Sequence, residues 1–345
     1  MFTRLSVFIA RVLLGLLLLL LCQFPLNIHG ISTVYAKATH STYQLYEQLI
    51  KSKRITPDNY EPKEYTIPMQ PTVYLTFDDG PSVETPKVLD ILQKEGIKAS
   101  FFVLGKMAEE HPEMLKRVAK DGHAIGNHTY NHVYKQLYGH IDEFWRQIQQ
   151  TEKIIYDISG IRPELVRAPG GTFTNFNAFY YYDMDEAGYT MMDWNMDSGD
   201  SSRANVPAQE IVDRVKQSTL KHEVILLMHD GSGHGQTVKA LPEIIDYFKK
   251  KGYVFAPLTT TVKPMQSPIS KYPWVSSYSY DQFVVQEDKV LEHVMEHQNQ
   301  LAAAKQKEAE ISLKNKLYAP NPGITTVIGA DLGWNNLANL TQLNH

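Results

Sequence analysis

The feature that most limits the fold is an alternation of short apolar runs with amphipathic runs between Pro71 and Val262. Short apolar runs predict buried strands, and apolar positions spaced by three and four residues predict helices. The predicted strands are Val73–Phe77, Ala99–Leu104, Ala124–His128, Leu165–Ala168, Thr190–Met196, Glu223–His229 and Val254–Leu258. The predicted helices are Thr85–Glu95, Ala108–Asp121, Ile141–Ile158, Asn175–Ala187, Pro207–Thr219 and Val238–Lys251.

This alternation is typical of α/β proteins with a parallel sheet. Seven strands fit closure into a distorted (β/α) barrel better than an open sheet covered on both faces, although the pattern alone leaves both arrangements open. In such barrels the chemistry collects at the carboxyl ends of the strands. Polar side chains directly after the predicted strands are therefore the candidates for a functional site.

The chain begins with a segment that is typical of exported proteins. Residues 1–38 combine a short basic start, an apolar run over Leu5–Leu21 and the small-residue signal Ala36-Lys37-Ala38. This predicts a signal peptide that is cleaved before Thr39. An uncleaved membrane anchor is the second interpretation, because the apolar run approaches spanning length, and lipidation at Cys22 is the third. We expect a secreted protein or one held at the cell wall or membrane.

Composition argues against a disulfide-bonded protein and against a nucleic-acid-binding protein. Cys22 is the only cysteine, so the cleaved protein has no disulfide bonds despite its exported context. Cleavage removes three of the 34 basic residues and none of the 38 acidic ones, which makes the net charge about −7. Nucleic-acid-binding proteins carry basic patches, so this charge argues against that class. We expect a monomer that contacts a membrane only through an uncleaved N-terminal segment.

Two regions flank the predicted domain, which we place at residues 71–262. Residues 39–70 are polar, contain one predicted short helix at Tyr43–Leu49, and are predicted to form a spacer. Residues 263–345 open with three prolines, continue in a charged stretch that predicts a long helix over Gln286–Leu317, and end in a tail rich in Asn, Gly and Pro. This C-terminal extension has no role that the sequence assigns.

Two adjacent carboxylates end the first predicted strand. Asp78 and Asp79 follow an apolar run and precede Gly80-Pro81, which stops the strand. Successive strand side chains point to opposite faces, so one carboxylate can hold a metal ion while the other stays free to move protons. An Asp-Asp-Gly sequence alone is more often a polar turn, and only the other strand ends favour a functional interpretation.

Two histidines follow the third predicted strand. His128 and His132 are four residues apart, and they face one side if the segment forms a helical turn. Two neutral imidazoles and one carboxylate make a divalent-metal site with open positions for water. A lone histidine pair is more often structural, but this pair ends a strand beside the strand that ends in two aspartates.

Three further stretches complete the set. Arg167 and Gly170 follow the fourth predicted strand, where a guanidinium can orient a carboxylate and glycine leaves backbone N–H groups open to a ligand. A structural ion pair explains Arg167 equally well. Trp194 is placed either to wall a sugar subsite or to pack in the core. His229 ends a buried strand, as suits a general acid tuned by a nearby carboxylate.

These five stretches resemble, in the same order, the five motifs of the polysaccharide deacetylase family, the NodB-homology or carbohydrate esterase family 4 domain. The resemblance covers about residues 71–262 and is greatest to cell-wall N-acetylglucosamine deacetylases of Gram-positive bacteria. It implies a distorted (β/α) barrel that removes acetyl groups from acetylated polysaccharide, peptidoglycan or chitin-like. It also implies one divalent metal ion, with Zn²⁺ ahead of Co²⁺ or Mn²⁺.

The resemblance also implies roles for single residues. Asp79, His128 and His132 would be the metal ligands. Asp78 would be the general base, and Arg167 would hold it in place.

The resemblance further implies that His229 would be the general acid. Asp200 would tune it, with Asp197 the second candidate for that role. The backbone N–H of Gly170 would bind the oxyanion, and Leu227 would line the pocket for the acetyl methyl group.

Three points stand apart from this pattern. Family members often carry an aromatic residue where Gly170 stands and a tryptophan where Ser201 stands, so we expect sugar contacts to differ while the chemistry is kept. The run His293–His297 matches the H-x-x-E-H pattern of inverted zinc proteases. It lies in a charged helix without a surrounding domain, and a solvated helix is the favoured interpretation.

Two other functions remain open from the sequence. An O-acetyl esterase acting on xylan or a wall polymer would use the same site on an easier leaving group. An inactive wall-binding domain is the third possibility, and the complete set of site residues argues against it.

Overall fold

The computed structural model describes residues 41–51, 64–267 and 278–317. The predicted signal segment with Cys22 and the tail after Leu317 lie outside the described residues. Within the described residues, no helix is both long enough and apolar enough to span a membrane.

The described residues form one curled sheet of eight parallel strands. The strands are β1 Thr72–Asp78, β2 Ser100–Val103, β3 Ala124–Asn127, β4 Leu165–Val166, β5 Thr190–Met191, β6 Met196–Asp197, β7 Glu223–His229 and β8 Val254–Phe255. Their order is β5-β4-β3-β2-β1-β7-β6, and β8 pairs with the first residues of β1. Every strand pair is parallel, which confirms the predicted distorted (β/α) barrel.

Helices fill the connections between the strands. They are α1 at 41–51, α2 Thr85–Glu95, α3 Gly105–Glu110, α4 Pro112–Lys120, α5 Tyr134–Gly139, α6 Ile141–Ser159, α7 Ala178–Glu186, α8 Ala208–Gln217, α9 Gly235–Lys250 and α10 Tyr280–Leu317. Most of the predicted elements are present with small shifts at their ends.

Two predicted elements are each divided into two. The helix predicted over Ala108–Asp121 ends at Glu110 and restarts at Pro112, because proline has no N–H for a continuing helix and is favoured in a first turn. The strand predicted over Thr190–Met196 is divided into β5 and β6, which lie at opposite edges of the sheet. Residues 192–195 join β5 to β6 and thus cross the barrel opening, which is the gap between the two edges of the curled sheet.

Alternation along the central strands separates an inner from an outer face. On β1, Val73, Leu75 and Phe77 pack outward in a core shared with α2, α4, α8 and α9. Tyr74 on the same strand packs in a smaller cluster with Phe102 and Ile225 inside the curled sheet. Asp78 lies four residues after Tyr74 on β1. Because side chains on one face of a strand recur every second residue, Asp78 also points to the inner side.

A second core, rich in aromatic side chains, lies beside the barrel around α5, α6 and α7. Helix α1 contributes Leu49, and the first part of α10 contributes Phe283 and Val290. The ring of Tyr46 on α1 lies 5.7 Å from Phe179 and 5.8 Å from Phe283.

One sequence prediction needs correction, because helix α10 begins at Tyr280 rather than at Gln286. Within the predicted spacer, Leu49 of α1 packs in this core. The predicted domain limits, 71–262, stay a prediction.

Residues after Val294 form a separate unit. Its described part is the rest of α10, and every side chain from Gln298 to Leu313 is exposed. This agrees with the charged sequence of the segment.

The docking of α10 has a measurable consequence. Phe283 is fully buried, whereas Val285 on the same helix is 54% exposed. We expect Phe283→Ala to lower the free energy of unfolding by about 3–5 kcal/mol, because it removes a core aromatic side chain. The control Val285→Ala should change it by no more than about 0.5 kcal/mol. Urea unfolding measures both, and equal effects would show that α10 does not pack against the second core.

Candidate active site

The carboxyl ends of four parallel strands bring the polar residues together. Asp78 ends β1, His128 follows β3, Arg167 follows β4 and His229 ends β7. Parallel strands point the same way, so these ends share one rim of the curled sheet. In the register of the sheet, Asp78 lies directly opposite His229.

Three of the predicted residues form a compact cluster of potential metal ligands. One ligand atom of each of Asp79, His128 and His132 lies within 4.8 Å of the other two. Asp79 Oδ1 is 3.5 Å from Nε2 of His128 and 3.5 Å from Nε2 of His132. The segment does not form the helical turn that would place the two histidines on one side, because His132 (φ 59°) and Thr129 (φ 70°) have left-handed backbone. Such backbone is uncommon outside glycine and concentrates at functional sites.

The cluster fits a divalent cation. The Nδ1 atom of His128 lies 2.8 Å from the backbone oxygen of Arg167, so Nδ1–H donates to it and the lone pair of Nε2 faces Asp79. Burial lowers the pKa of His128 to about 3, which keeps the imidazole neutral. Asp79 Oδ1 is buried and has no hydrogen-bond partner among the described residues. A buried carboxylate oxygen without a hydrogen-bond donor is suited to coordinating a cation.

A buried ion pair holds the second carboxylate. Arg167 has no exposed surface, and its Nη1 donates to Asp78 Oδ1 at 2.8 Å and to Thr76 Oγ1 at 2.7 Å. Its Nε donates to the backbone oxygen of Met192 at 2.8 Å, and the guanidinium lies 4.0 Å from the ring centre of Phe102. Burial raises the pKa of Asp78, and the positive charge of Arg167 opposes that rise. Asp78 is thus fixed in one orientation beside the ligand cluster.

The histidine at the end of β7 is bound on one side by Asp200. Asp200 Oδ1 lies 2.8 Å from Nδ1 of His229, and Oδ2 accepts the backbone N–H of His229 and the hydroxyl of Thr237, each at 2.8 Å. Burial alone would lower the pKa of His229, but the hydrogen bond and charge of Asp200, with Asp78 and Asp79, raise it to about 9.

The structure also gives the positions of three other predicted residues. Asp197, the second candidate partner of His229, instead accepts the backbone N–H of Gly199 at 2.7 Å. Leu227 is buried on β7, two residues before His229 and on the same face. Trp194 is half-buried, with its ring centre 5.7 Å from the Arg167 guanidinium.

One acidic residue of the site was missed in the sequence. Asp230 is buried directly after His229; burial raises its pKa to about 7, and the hydroxyl of Thr85 donates to its Oδ2 at 2.5 Å. A side chain at Gly80 would overlap its carboxylate, so glycine is required there. The sequence could have indicated Asp230, because it directly follows His229 at the end of a predicted strand.

The structure also shows what fills the space beside Gly170. Gly170 is exposed and has a φ of 72°. A Cβ atom built on it would lie 2.5 Å from the hydroxyl oxygen of Tyr134, which begins α5. Position 170 therefore has no room for the aromatic side chain that family members often carry there. Sequence reasoning missed Tyr134, since its contact depends on the fold.

The H-x-x-E-H run is not among the candidate metal clusters of the described residues. His293 is buried, with ring centres 5.6 Å from Trp145 and 5.5 Å from Tyr189, so the solvated position expected for it was wrong. Besides the cluster at Asp79, the described residues contain one further group of this kind, Asp200, His229 and His234.

Comparison with known proteins agrees with this geometry. A family model described as polysaccharide deacetylase matches residues 67–192. The Bacillus subtilis protein YheN is 34% identical over 198 residues, which are 56% of this chain and 69% of YheN. A peptidoglycan-N-acetylglucosamine deacetylase of Bacillus cereus is 32% identical over 210 residues, covering 60% of this chain and 74% of that protein.

Solved structures show the same relationship. The crystal structure of a polysaccharide deacetylase from Bacillus cereus has a TM-score of 0.53 and 33% identity, with 55% of this chain and 93% of that chain covered. The residues matched by the family model include Asp78, His128 and Arg167 and end before His229. The chain belongs to the polysaccharide deacetylase family.

Proposed function

We propose that this protein hydrolyses the N-acetyl groups of a cell-wall polysaccharide, with one divalent metal ion, and releases acetate. The observation that carries the proposal is the arrangement at the rim of the sheet. A carboxylate held by Arg167 and a histidine held by Asp200 lie on neighbouring strands, beside a cluster of two imidazoles and one carboxylate. Amide hydrolysis needs a base, an acid and stabilisation of the oxyanion, and this arrangement has residues for all three.

Asp79, His128 and His132 would hold the metal ion, which we propose to be Zn²⁺, with Co²⁺ or Mn²⁺ as alternatives. Imidazole and carboxylate donors suit all of these metals. When bound, a divalent ion of this kind lowers the pKa of its water ligand and polarises the carbonyl of the substrate.

Asp78 serves as the general base. It takes the proton of the attacking water as the carbon–oxygen bond forms. The bond from Arg167 leaves Oδ2 facing the ligand cluster, where Oδ2 is 3.7 Å from Nε2 of His128. A carboxylate held in one orientation loses no freedom at the moment of proton transfer.

His229 serves as the general acid, and Gly170 helps to bind the oxyanion. The Nδ1–H of His229 donates to the carboxylate of Asp200, so Nε2–H carries the proton that is given to the departing sugar nitrogen. An amine leaves poorly without that proton. The backbone N–H of Gly170 is proposed to donate to the oxyanion, because Gly170 is exposed in the loop after β4 and has no side chain to cover it.

The substrate class and location of the protein are part of the proposal. Peptidoglycan N-acetylglucosamine is favoured because the similar Bacillus cereus protein carries that activity in its name. An extracytoplasmic location is supported by the signal-like sequence of residues 1–38.

The function is tested by measuring acetate release from N-acetylated chitooligosaccharides, peptidoglycan and acetylated xylan, with and without a chelator. We expect release from an N-acetylated substrate that chelation abolishes and added Zn²⁺ restores. Asp78→Asn is the matched variant: it should keep bound zinc but lose about 10²–10⁴-fold in turnover, the usual contribution of an acid–base group. Release from xylan alone would indicate an O-acetyl esterase. No release from any of the three would contradict the proposal.

The partnership of His229 and Asp200 predicts a change in pH dependence. His229 acts in its protonated form, so activity should fall as the pH rises through its pKa. Asp200→Asn removes the negative charge that raises that pKa, and charges at this distance change a pKa by about 1–3 units. The basic limb of the kcat/KM profile should therefore move to lower pH. Asp197→Asn is the control and should leave the limb in place; an unmoved limb in Asp200→Asn would exclude this partnership.

A further inference from the structure

Two aromatic rings border the pair of glycines at the end of β4. A Cβ atom at Gly170 would lie 2.5 Å from the hydroxyl of Tyr134, and one at Gly171 would lie 3.0 Å from the ring of Trp194. The glycines thus form a bare stretch of backbone with an aromatic side chain against each residue. Gly170 is exposed, whereas Gly171 is buried and its N–H donates to the backbone oxygen of Ala168 at 2.8 Å. A flat ring beside the exposed backbone of Gly170 suits a sugar, which has apolar ring faces and polar edges.

Tyr134 differs from its neighbour Tyr138 on α5 in a way that points to a ligand. The ring of Tyr138 is buried, and its hydroxyl donates to the backbone oxygen of Pro169 at 2.6 Å. Tyr134 is 45% exposed, and no described residue forms a hydrogen bond with its hydroxyl. Tyr138 therefore has a structural role, whereas the hydroxyl of Tyr134 is free to bind a molecule in the site.

The position of Tyr134 also fits substrate contact. Its ring packs edge-on against His132, one of the three proposed metal ligands, with ring centres 5.3 Å apart. The hydroxyl thus lies between the metal cluster and the proposed oxyanion N–H of Gly170.

We propose that Tyr134 is a substrate-binding residue, whose ring packs against the reacting N-acetylated sugar and whose hydroxyl donates a hydrogen bond to it. The residue takes the space that a side chain at position 170 would need, so the aromatic contact of this site comes from α5 and not from the loop after β4. This inference rests on the proposed deacetylase function and adds a specificity-determining residue to it.

The test compares Tyr134→Ala and Tyr134→Phe with wild-type protein on N-acetylated chitooligosaccharides. We expect Tyr134→Ala to lower kcat/KM by about 10- to 100-fold, mainly through KM, because it removes both ring packing and a hydrogen bond. Tyr134→Phe keeps the ring and should lose about 2- to 10-fold. The control Tyr156→Ala changes a tyrosine of α6 that is 48% exposed, and should have no effect.

Bound zinc is measured in the same preparations and should be unchanged. A fall in zinc content in Tyr134→Ala would show that the ring only supports His132 and would overturn the inference. Wild-type kinetics in both Tyr134 variants would overturn it as well. Absence of acetate release from wild-type protein would instead contradict the proposed function, so the two failures are distinguishable.

A double-mutant cycle tests whether Tyr134 and residue 170 compete for one space. Gly170→Ala should reduce kcat/KM strongly when Tyr134 is present, because the added Cβ displaces the hydroxyl. In the Tyr134→Ala background the same change should cost much less. The strain of alanine at a φ of 72° is common to both backgrounds and cancels in the cycle. Equal losses in the two backgrounds would show that the side chains do not compete.

Discussion

The buried guanidinium of Arg167 is the interaction on which the site depends. It extends from the end of β4 to the end of β1, where it binds Asp78, and it also binds the carbonyl oxygens of Met192 and Asp193 in the segment that crosses the barrel opening. The backbone oxygen of the same residue orients His128. One residue therefore fixes the proposed base, one proposed metal ligand and the crossing segment. Removing one partner of such a buried pair leaves an uncompensated charge, which typically costs 3–5 kcal/mol.

The two adjacent aspartates differ because their surroundings differ. Asp78 is still in the strand, faces the interior and is neutralised by Arg167. Asp79 has left the strand with a φ of 72° and turns its carboxylate toward two histidines, with one oxygen that no described group satisfies. A single change of backbone conformation thus separates a carboxylate suited to proton transfer from one suited to metal binding.

Sequence reasoning succeeded where local pattern and motif order determine the result. The strand ends that carry Asp78, His128, Arg167 and His229 followed from apolar runs that stop at polar residues, and the parallel sheet brought those ends together. It failed where the outcome depends on unusual backbone conformation or on distant contacts. The loop that joins His128 to His132 is held by left-handed residues, which spacing alone does not reveal.

The dependence on distant contacts also explains the other errors. The docking of α10 depends on Phe283 meeting an aromatic core formed by α1, α6 and α7, which no local pattern in a charged helix indicates. Tyr134 and Asp230 likewise acquire their places only through residues 36 and 145 positions away, Gly170 and Thr85.

The most direct test of this account is the position of the metal ion in a crystal of the zinc-loaded protein, located by anomalous scattering at the zinc edge. The account predicts one ion bound by Asp79, His128 and His132 at about 2.0–2.2 Å, with Asp78 unligated and still bonded to Arg167. An ion bound by Asp78, or one found only at Asp200, His229 and His234, would contradict the assignment of ligand, base and acid.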